Sequence, residues 1–395
     1  MTTSDIYIVS TARTPMGSMQ GAFSTVTAAE LGAVAIEAAL EKGGVSPESV
    51  DEVFMGNVLM AGQGQAPARQ AALGAGIAQA TPCTTLNKMC GSGLQALMTA
   101  CDTLKAGRGD VIVAGGMESM TNAPYLLPKA RGGMRMGHGQ VIDSMMLDGL
   151  TDAYSEGTLM GHFADKTAEK YQFTREDQDA FALESLSRAK KAIEGGAFKA
   201  EIAPVTVKGR KGDTVVDTDE APSKAMPEKI PSLRPAFNRD GTVTAANASS
   251  ISDGAAAAVL CASEGLEKHG LKPVAKVLGY SSHAHEPEWF TTAPVQAMQK
   301  LMSNLNMSVK DFDLFEINEA FAVVTMAAMK EIGVPHDKVN INGGAVALGH
   351  PIGASGARIL TTLVHALKAA GKKRGIAALC IGGGEAVAMA VELTE

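Results

Sequence analysis

Two stretches far apart in the chain resemble each other: Gly91-Ser92-Gly93-Leu94-Gln95-Ala96-Leu97 and Ala354-Ser355-Gly356-Ala357-Arg358-Ile359-Leu360. Each opens a run with helical spacing. Each is followed by an apolar strand-like run meeting glycines, Val111-Ile112-Val113-Ala114-Gly115-Gly116 in one case and Ala377-Ala378-Leu379-Cys380-Ile381-Gly382-Gly383 in the other. Self-similarity at so long a period marks a duplicated domain rather than a short-repeat array. It predicts two related halves about a pseudo-two-fold, with loops from both meeting at one cleft. A chance likeness of two glycine-rich turns is the alternative.

The 395 residues give room for two or three domains. Strand-like and helix-like runs interleave in a chain with 43 glycines and only 4% aromatics, which reads as α/β. Strands are expected at Asp5–Val9, Val50–Met55, Asp110–Ala114 and Ala255–Cys261, with helices at Ala28–Leu40 and from Pro67. This reads as a βαβ-rich first half with a mostly parallel sheet buried on both faces. From Met120 to Gly161 periodicity fades, and residues 119–246 read as an insertion built on the first half. Within it, Thr174-Arg175-Glu176-Asp177 looks like a capping box opening a helix, and 204–216 a polar hairpin. The second half repeats the alternation, with strands at Val274–Gly279, Phe312–Ile317, Ile376–Ile381 and Val387–Leu393. Its helices are expected at Val295–Leu305, Glu319–Ile332 and Ala357–Leu367.

A net charge of −7 argues against a general nucleic-acid role. No apolar stretch is long enough for a bilayer, and Met1-Thr2-Thr3-Ser4-Asp5 lacks a signal peptide's basic and apolar regions. Five cysteines without a C-x-x-C pair argue against a disulfide framework and a zinc site, so no metal is expected. A cytoplasmic setting follows from that usage.

Four residues stand where chemistry is possible. Cys90 falls at a strand-to-helix turn, where a helix N-terminus lowers a thiol pKa; a nucleophile and a core filler are both open. Asn318 lies between an apolar strand and a helix, as a hydrogen-bond donor or as a cap. His350 sits in a glycine-dense turn fixed by Pro351, as a base or a structural group. Cys380 ends a strand beside Gly382-Gly383-Gly384, as a second acid/base or a buried strand residue. Ends of strands and helices drawn from both halves are where an α/β cleft assembles a site.

These four stretches, in order over nearly the whole chain from Arg13-Thr14-Pro15 onward, resemble the thiolase family, acetyl-CoA acetyltransferase type. The resemblance implies an α/β fold of two thiolase-like domains in five αβαβα layers with an inserted loop domain. The N-terminal domain would be 1–118 plus 247–268, the loop domain 119–246 (a coenzyme A cover and oligomer contact), and the C-terminal domain 269–395. It implies a reversible ping-pong Claisen condensation of acetyl-CoA through an acyl-thioester intermediate, or thiolysis of longer 3-ketoacyl-CoA in β-oxidation. A decarboxylating ketosynthase and a non-catalytic CoA- or lipid-binding protein are the other readings weighed. Cys90 would take the acyl group, His350 activate it, and Cys380 move the α-proton. Asn318, through a water, would join His350 in one oxyanion hole, with the amides of Cys90 and Gly382 in another. CoA-contacting positions fall on Ser249, Ala245, Phe237, Met160 and Phe321, with Phe290 at the acyl pocket. No cofactor is implied, since coenzyme A thioesters are substrates. The partner would be further copies of the chain in a homotetramer, through a loop at 120–161 carrying Met134, Met136 and Met145; neither a membrane nor a nucleic acid is expected.

Three positions depart from the family pattern. Leu159 replaces a histidine, for which His162 is the candidate substitute. Lys224 only approximates the basic residue near the adenine phosphate, and Lys208, Arg210 and Lys211 read more plainly as a solvated hairpin. Phe290 stands where short-chain relatives carry Met.

Overall fold

The computed structural model describes residues 4–394, so residues 1–3 and 395 of the expected domain ranges lie outside the described residues. The main sheet consists of two half-sheets. In the first, the strands run in the order Ile6–Arg13, Ser252–Ala262, Val111–Ser119, Glu52–Gly56 and Cys83–Leu86. In the second they run Ala275–Ala284, Glu385–Leu393, Arg374–Ile381 and Leu314–Ile317. Going outward, each half has two antiparallel pairings and then a parallel one. The first half adds a parallel partner in Cys83–Leu86, and the second has a single parallel bridge, Phe315 to Val339, in that place. The halves join through Tyr7↔Lys276 and Ile8↔Ala275, a pairing that a two-fold axis maps onto itself.

Duplication therefore holds at the level of topology, and the ladders fix its register. Gly116 faces Gly56 and Ala256; Ala378 faces Ile317 and Ala388. Gly116 is thus the counterpart of Ala378, which makes Asn57 the counterpart of Asn318 and Glu118 that of Cys380. The two glycine clusters compared in the sequence are consequently not equivalent. Gly115 and Gly116 lie inside a strand, under the close backbones of Ala256 and Gly353, while Gly382–Gly384 form the turn after one.

The mostly parallel sheet expected from sequence is corrected to one in which antiparallel pairing dominates. The reason is Ser252–Ala262: all its residues are buried, so it has the continuous apolar texture of a parallel strand, yet it pairs antiparallel on both sides.

Helices complete five layers. Ser92–Lys105 and Ser355–Ala369 pack between the half-sheets, sharing one core with Leu94, Leu97, Ile359, Leu363, Ile112 and Leu379. Ala28–Gly43 and Pro67–Gly74 cover the outer face of the first half, Ala293–Asn304 and Ala322–Ile332 that of the second. Thr27 with Glu30, and Thr174 with Asp177, close capping boxes that satisfy the first free amides of their helices.

Between Ser119 and Ser252 the chain leaves the first half-sheet and contributes the helices Met160–Tyr171 and Arg175–Glu194. It is pinned to the first half where Arg13 meets Glu201 at 2.5 Å and Asp219 at 2.7 and 2.9 Å, all three fully buried. Its helices, however, lean on the second half: Phe163 and Ala164 pack with Phe290, Phe321 and Val324, and Leu186 and Ala189 with Ala347 and Leu348. The insertion thus leaves from and returns to the first half-sheet and packs against both halves. None of the described helices is long and apolar enough to cross a membrane.

Candidate active site

The strand Cys83–Leu86 ends in a tight turn that delivers Cys90 to the start of the Ser92–Lys105 helix. Met89, with φ +47°, holds the left-handed conformation, which costs a side-chain-bearing residue roughly 1–2 kcal/mol. Ser92 offsets it. Its Oγ accepts the Lys88 amide at 2.8 Å and donates to the Met89 carbonyl at 2.7 Å.

Cys90 lies in a cavity of about 1010 Å³, walled mainly by apolar side chains such as Val58, Met89, Leu150 and Ile352. From the second half, the turn after Arg374–Ile381 brings the Gly382 amide near the Cys90 sulfur, where it and the Cys90 amide favour the thiolate. Positive φ at Gly383 and Gly384 makes that turn possible. An ion pair between Lys88 and Glu385 links the two turns.

Burial pushes the Cys90 thiol up to about 11, against the pull of the two amides and with a further push from the Glu118 charge. Desolvation of the thiolate outweighs the two amides and opposes the lowering expected of a helix N-terminus. Cys90 rests as a thiol and needs a base. Peptide-resolved alkylation by iodoacetamide should accordingly speed up about tenfold per pH unit from pH 7 to 10 without levelling. A plateau near pH 8 would contradict this.

His350 can be that base when imidazolium and thiolate form together, since each charge then offsets the cost of burying the other. Burial, then the Arg358 charge, push His350 down to about 3, so it is neutral. Its Nδ1 lies 2.5 Å from Ser355 Oγ, whose own proton goes to the Pro351 carbonyl at 2.9 Å. Ser355 must then accept from Nδ1–H, which leaves the lone pair on Nε2. Nε2 is buried and has no partner among the described residues. Asn318 places its Nδ2 3.5 Å from Nδ1, and its buried Oδ1 is unpaired. With Nδ1 protonated, the Asn318 amide hydrogens remain available to another acceptor. The capping role is not taken by Asn318, because the helix begins at Ala322 with Phe321 as its cap residue.

Cys380 is fully buried at the end of its strand and packs with Phe163, Phe290 and Phe321. Burial, and next the proximity of Cys90, push its thiol well above the ordinary value. The two sulfurs thus share one electrostatic neighbourhood.

Cys90, His350 and Gly382 line the cavity, as do Ser249, Ala245, Phe237, Met160, Phe321 and Phe290. Asn318 and Cys380 stand immediately behind that lining, the first against His350 and the second against Phe290 and Phe321. Leu159 lines the cavity too, at the cap of the Met160–Tyr171 helix. His162 is outside the lining, bonded to Asn238 at 2.9 Å. Lys224 is paired with Glu220, and Lys208, Arg210 and Lys211 are exposed around the 205–216 hairpin, away from the lining. Ser355 was not among the expected site residues, although its place matches that of Ser92 in the repeated motif and could have flagged it.

This set can pass a group to a sulfur, stabilise negative charge on oxygen with aimed amides, and hold a second sulfur ready for a proton. Known proteins agree with such chemistry. The thiolase N-terminal domain matches residues 6–264 and the thiolase C-terminal domain residues 271–393. The chain is 50% identical to an acetyl-CoA acetyltransferase of Chromobacterium violaceum, over 98% of this chain and 99% of that one. It is 51% identical to acetyl-CoA acetyltransferase 2 of Arabidopsis thaliana, over 98% and 97%. The acetyl-CoA acetyltransferase of Bacillus anthracis superposes with a TM-score of 0.96 at 41% identity, covering 99% of each chain. The Acat5 thiolase of Ascaris suum, solved with coenzyme A, gives 0.93 at 43% identity, covering 98% and 100%. With both domain families matched end to end on a duplicated fold, the chain belongs to the thiolase family.

Proposed function

We propose that this chain is an acetyl-CoA C-acetyltransferase, joining two acetyl-CoA into acetoacetyl-CoA and coenzyme A, reversibly. The observation that carries the reading is one cavity bearing Cys90, His350 and the Gly382 amide, in a chain about half identical over its whole length to acetyl-CoA acetyltransferases. Those relatives favour acetyl transfer over the longer-chain alternative. The coenzyme A complex of the Ascaris suum thiolase supports a coenzyme A thioester as the ligand. No cofactor enters the chemistry below.

His350 Nε2 takes the Cys90 proton, and the thiolate attacks the thioester carbonyl. The amides of Cys90 and Gly382, which favour negative charge beside this sulfur, receive the oxyanion; one such donor is worth about 3 kcal/mol. The acetyl group moves to Cys90, and His350 returns the proton to the departing coenzyme A thiolate. Before the second step Cys380 gives its own proton to solvent, against the push of burial, and solvent returns that proton at the end of the cycle. Cys380 takes a methyl proton from the incoming acetyl-CoA while Asn318 and His350 stabilise the enolate oxygen. The enolate attacks the acetyl-Cys90 carbonyl, and Cys380 gives its proton to the Cys90 sulfur as that leaves.

The experiment is brief incubation with acetyl-CoA followed by mass spectrometry. One added acetyl group on the Cys90 peptide supports the reading, and an adduct elsewhere ends it. Ser355→Ala frees the imidazole tautomer and should lower kcat about tenfold at unchanged KM for acetyl-CoA. An unchanged kcat would remove Ser355 from the mechanism.

We also infer a cytoplasmic homotetramer. Free cysteines support the compartment, and exposed Tyr125, Met134 and Met136 on one loop support the assembly.

A further inference from the structure

The ladder register sets a second constellation against the catalytic one. Glu118 stands at the counterpart of Cys380, and Asn57 at that of Asn318. Through the equivalent helices that begin at Ser92 and Ser355, Gly353 stands at the counterpart of Cys90. No step above uses these residues, yet they are tightly joined.

The Glu118 carboxylate is completely buried and accepts four hydrogen bonds. Oε1 takes Asn57 Nδ2 at 2.8 Å and the Leu59 amide at 3.1 Å; Oε2 takes the Val58 amide at 3.0 Å and the Gly353 amide at 2.9 Å. Three of these donors belong to residues 57–59 of the first half. The fourth belongs to the second half, three residues after His350. Val58 and Ile352 are cavity wall, and with Leu59 they pack around Cys90. Gly353 has no room for a side chain, since a Cβ would lie 2.6 Å from Glu118 Oε2.

We infer that Glu118 is a positioning residue for the acyl-transfer step: by clamping 57–59 to Gly353 across the two halves, it sets the His350 turn against Cys90. The inference rests on the acetyl-transfer reading for its kinetic consequence. Each carboxylate oxygen faces two N–H donors, so only an acceptor on both sides satisfies the clamp. An amide of the same size must turn its NH₂ toward two donors and break one side. A carboxylate near Cys90 also opposes its ionisation, as the Glu118 contribution to the raised thiol pKa indicates.

The test is Glu118→Gln in the full chain, after a cooperative thermal melt shows that it folds. Condensation of acetyl-CoA should show kcat lowered about 10–100-fold with KM within about twofold, the scale of a roughly 1 Å misplacement of reacting groups. Above about pH 7, to which burial raises the Glu118 carboxyl itself, Cys90 alkylation should also move to lower pH, because one negative charge has gone while the other titratable neighbours, His350 and Cys380, remain. A merely structural role lowers the melting temperature and leaves the kcat/KM split unmoved. A kcat within twofold of wild type, a loss shared equally by kcat and KM, or an unmoved alkylation profile overturns the inference. If the variant does not fold, Asn57→Ala removes a single donor and should give the same kcat-only loss at about tenfold; an unchanged kcat there overturns it equally. A wild-type protein that fails to condense acetyl-CoA ends the functional reading instead, and the rate at which Cys90 of Glu118→Gln is acetylated by acetyl-CoA still decides the clamp.

Discussion

Cys380→Ala is expected to be acetylated on Cys90 by acetyl-CoA and yet to condense about 10³-fold more slowly than wild type. The split follows from geometry. Attack on the first thioester needs the Cys90 sulfur, a neutral His350 and the two amides, all of which alanine leaves in place. Breaking the C–H bond of the second acetyl-CoA needs a base, and a positioned base contributes about 10²–10⁴ in rate. Alanine fits the strand and its aromatic surroundings of Phe163, Phe290 and Phe321, so the fold should survive. Acetylation is read by peptide mass spectrometry and condensation by the rate of acetoacetyl-CoA formation. Condensation within tenfold of wild type would deprive Cys380 of its role.

The second large effect is on stability. Gly356→Ala should destabilise the protein by about 3 kcal/mol. A Cβ at 356 would lie 2.3 Å from the Leu94 amide nitrogen; across the dyad, a Cβ at Gly93 would lie 2.8 Å from the Ala357 nitrogen. Both obstacles are backbone, which no rotamer change relieves, so the central helices must separate. Cys90 and His350 immediately precede those helices, and activity should fall with stability. Gly132→Ala, where a Cβ meets nothing within 4 Å, is the control and should be neutral. Urea unfolding midpoints measure both; an unchanged midpoint for Gly356→Ala would refute the crossing contact.

That crossing explains why duplication was legible. Gly93 and Gly356 are each needed because the helices touch backbone to backbone, so the same small residue recurs in the same local pattern. The glycines that follow misled because they serve different needs: Gly116 yields to the Gly353 backbone inside a strand, while Gly383 makes a turn. Strand direction was illegible for a related reason. In Ser252–Ala262 both faces are covered, so alternation, the usual mark of an antiparallel strand, is missing. At the site, Cys90, Asn318, His350 and Cys380 were visible from their places at element ends. The state of Cys90 was not, because its desolvation comes from the other half of the molecule. Glu118 passed unnoticed since its partners, Asn57 to Leu59 and Gly353, are remote in sequence and ordinary in type.

Both half-sheets have an interior strand that comes last in sequence. Ser252–Ala262 slots between Ile6–Arg13 and Val111–Ser119, and Glu385–Leu393 between Ala275–Ala284 and Arg374–Ile381. During synthesis the first half therefore waits, with two strand edges open, while the whole insertion emerges. The second half cannot close before residues 385–393 have left the ribosome. Ala386 in that strand pairs with Cys380, and Glu385 pairs with Lys88 beside Cys90, so loss of residues 385–393 removes the keystone of a sheet, and a nascent chain has no working pocket until they emerge.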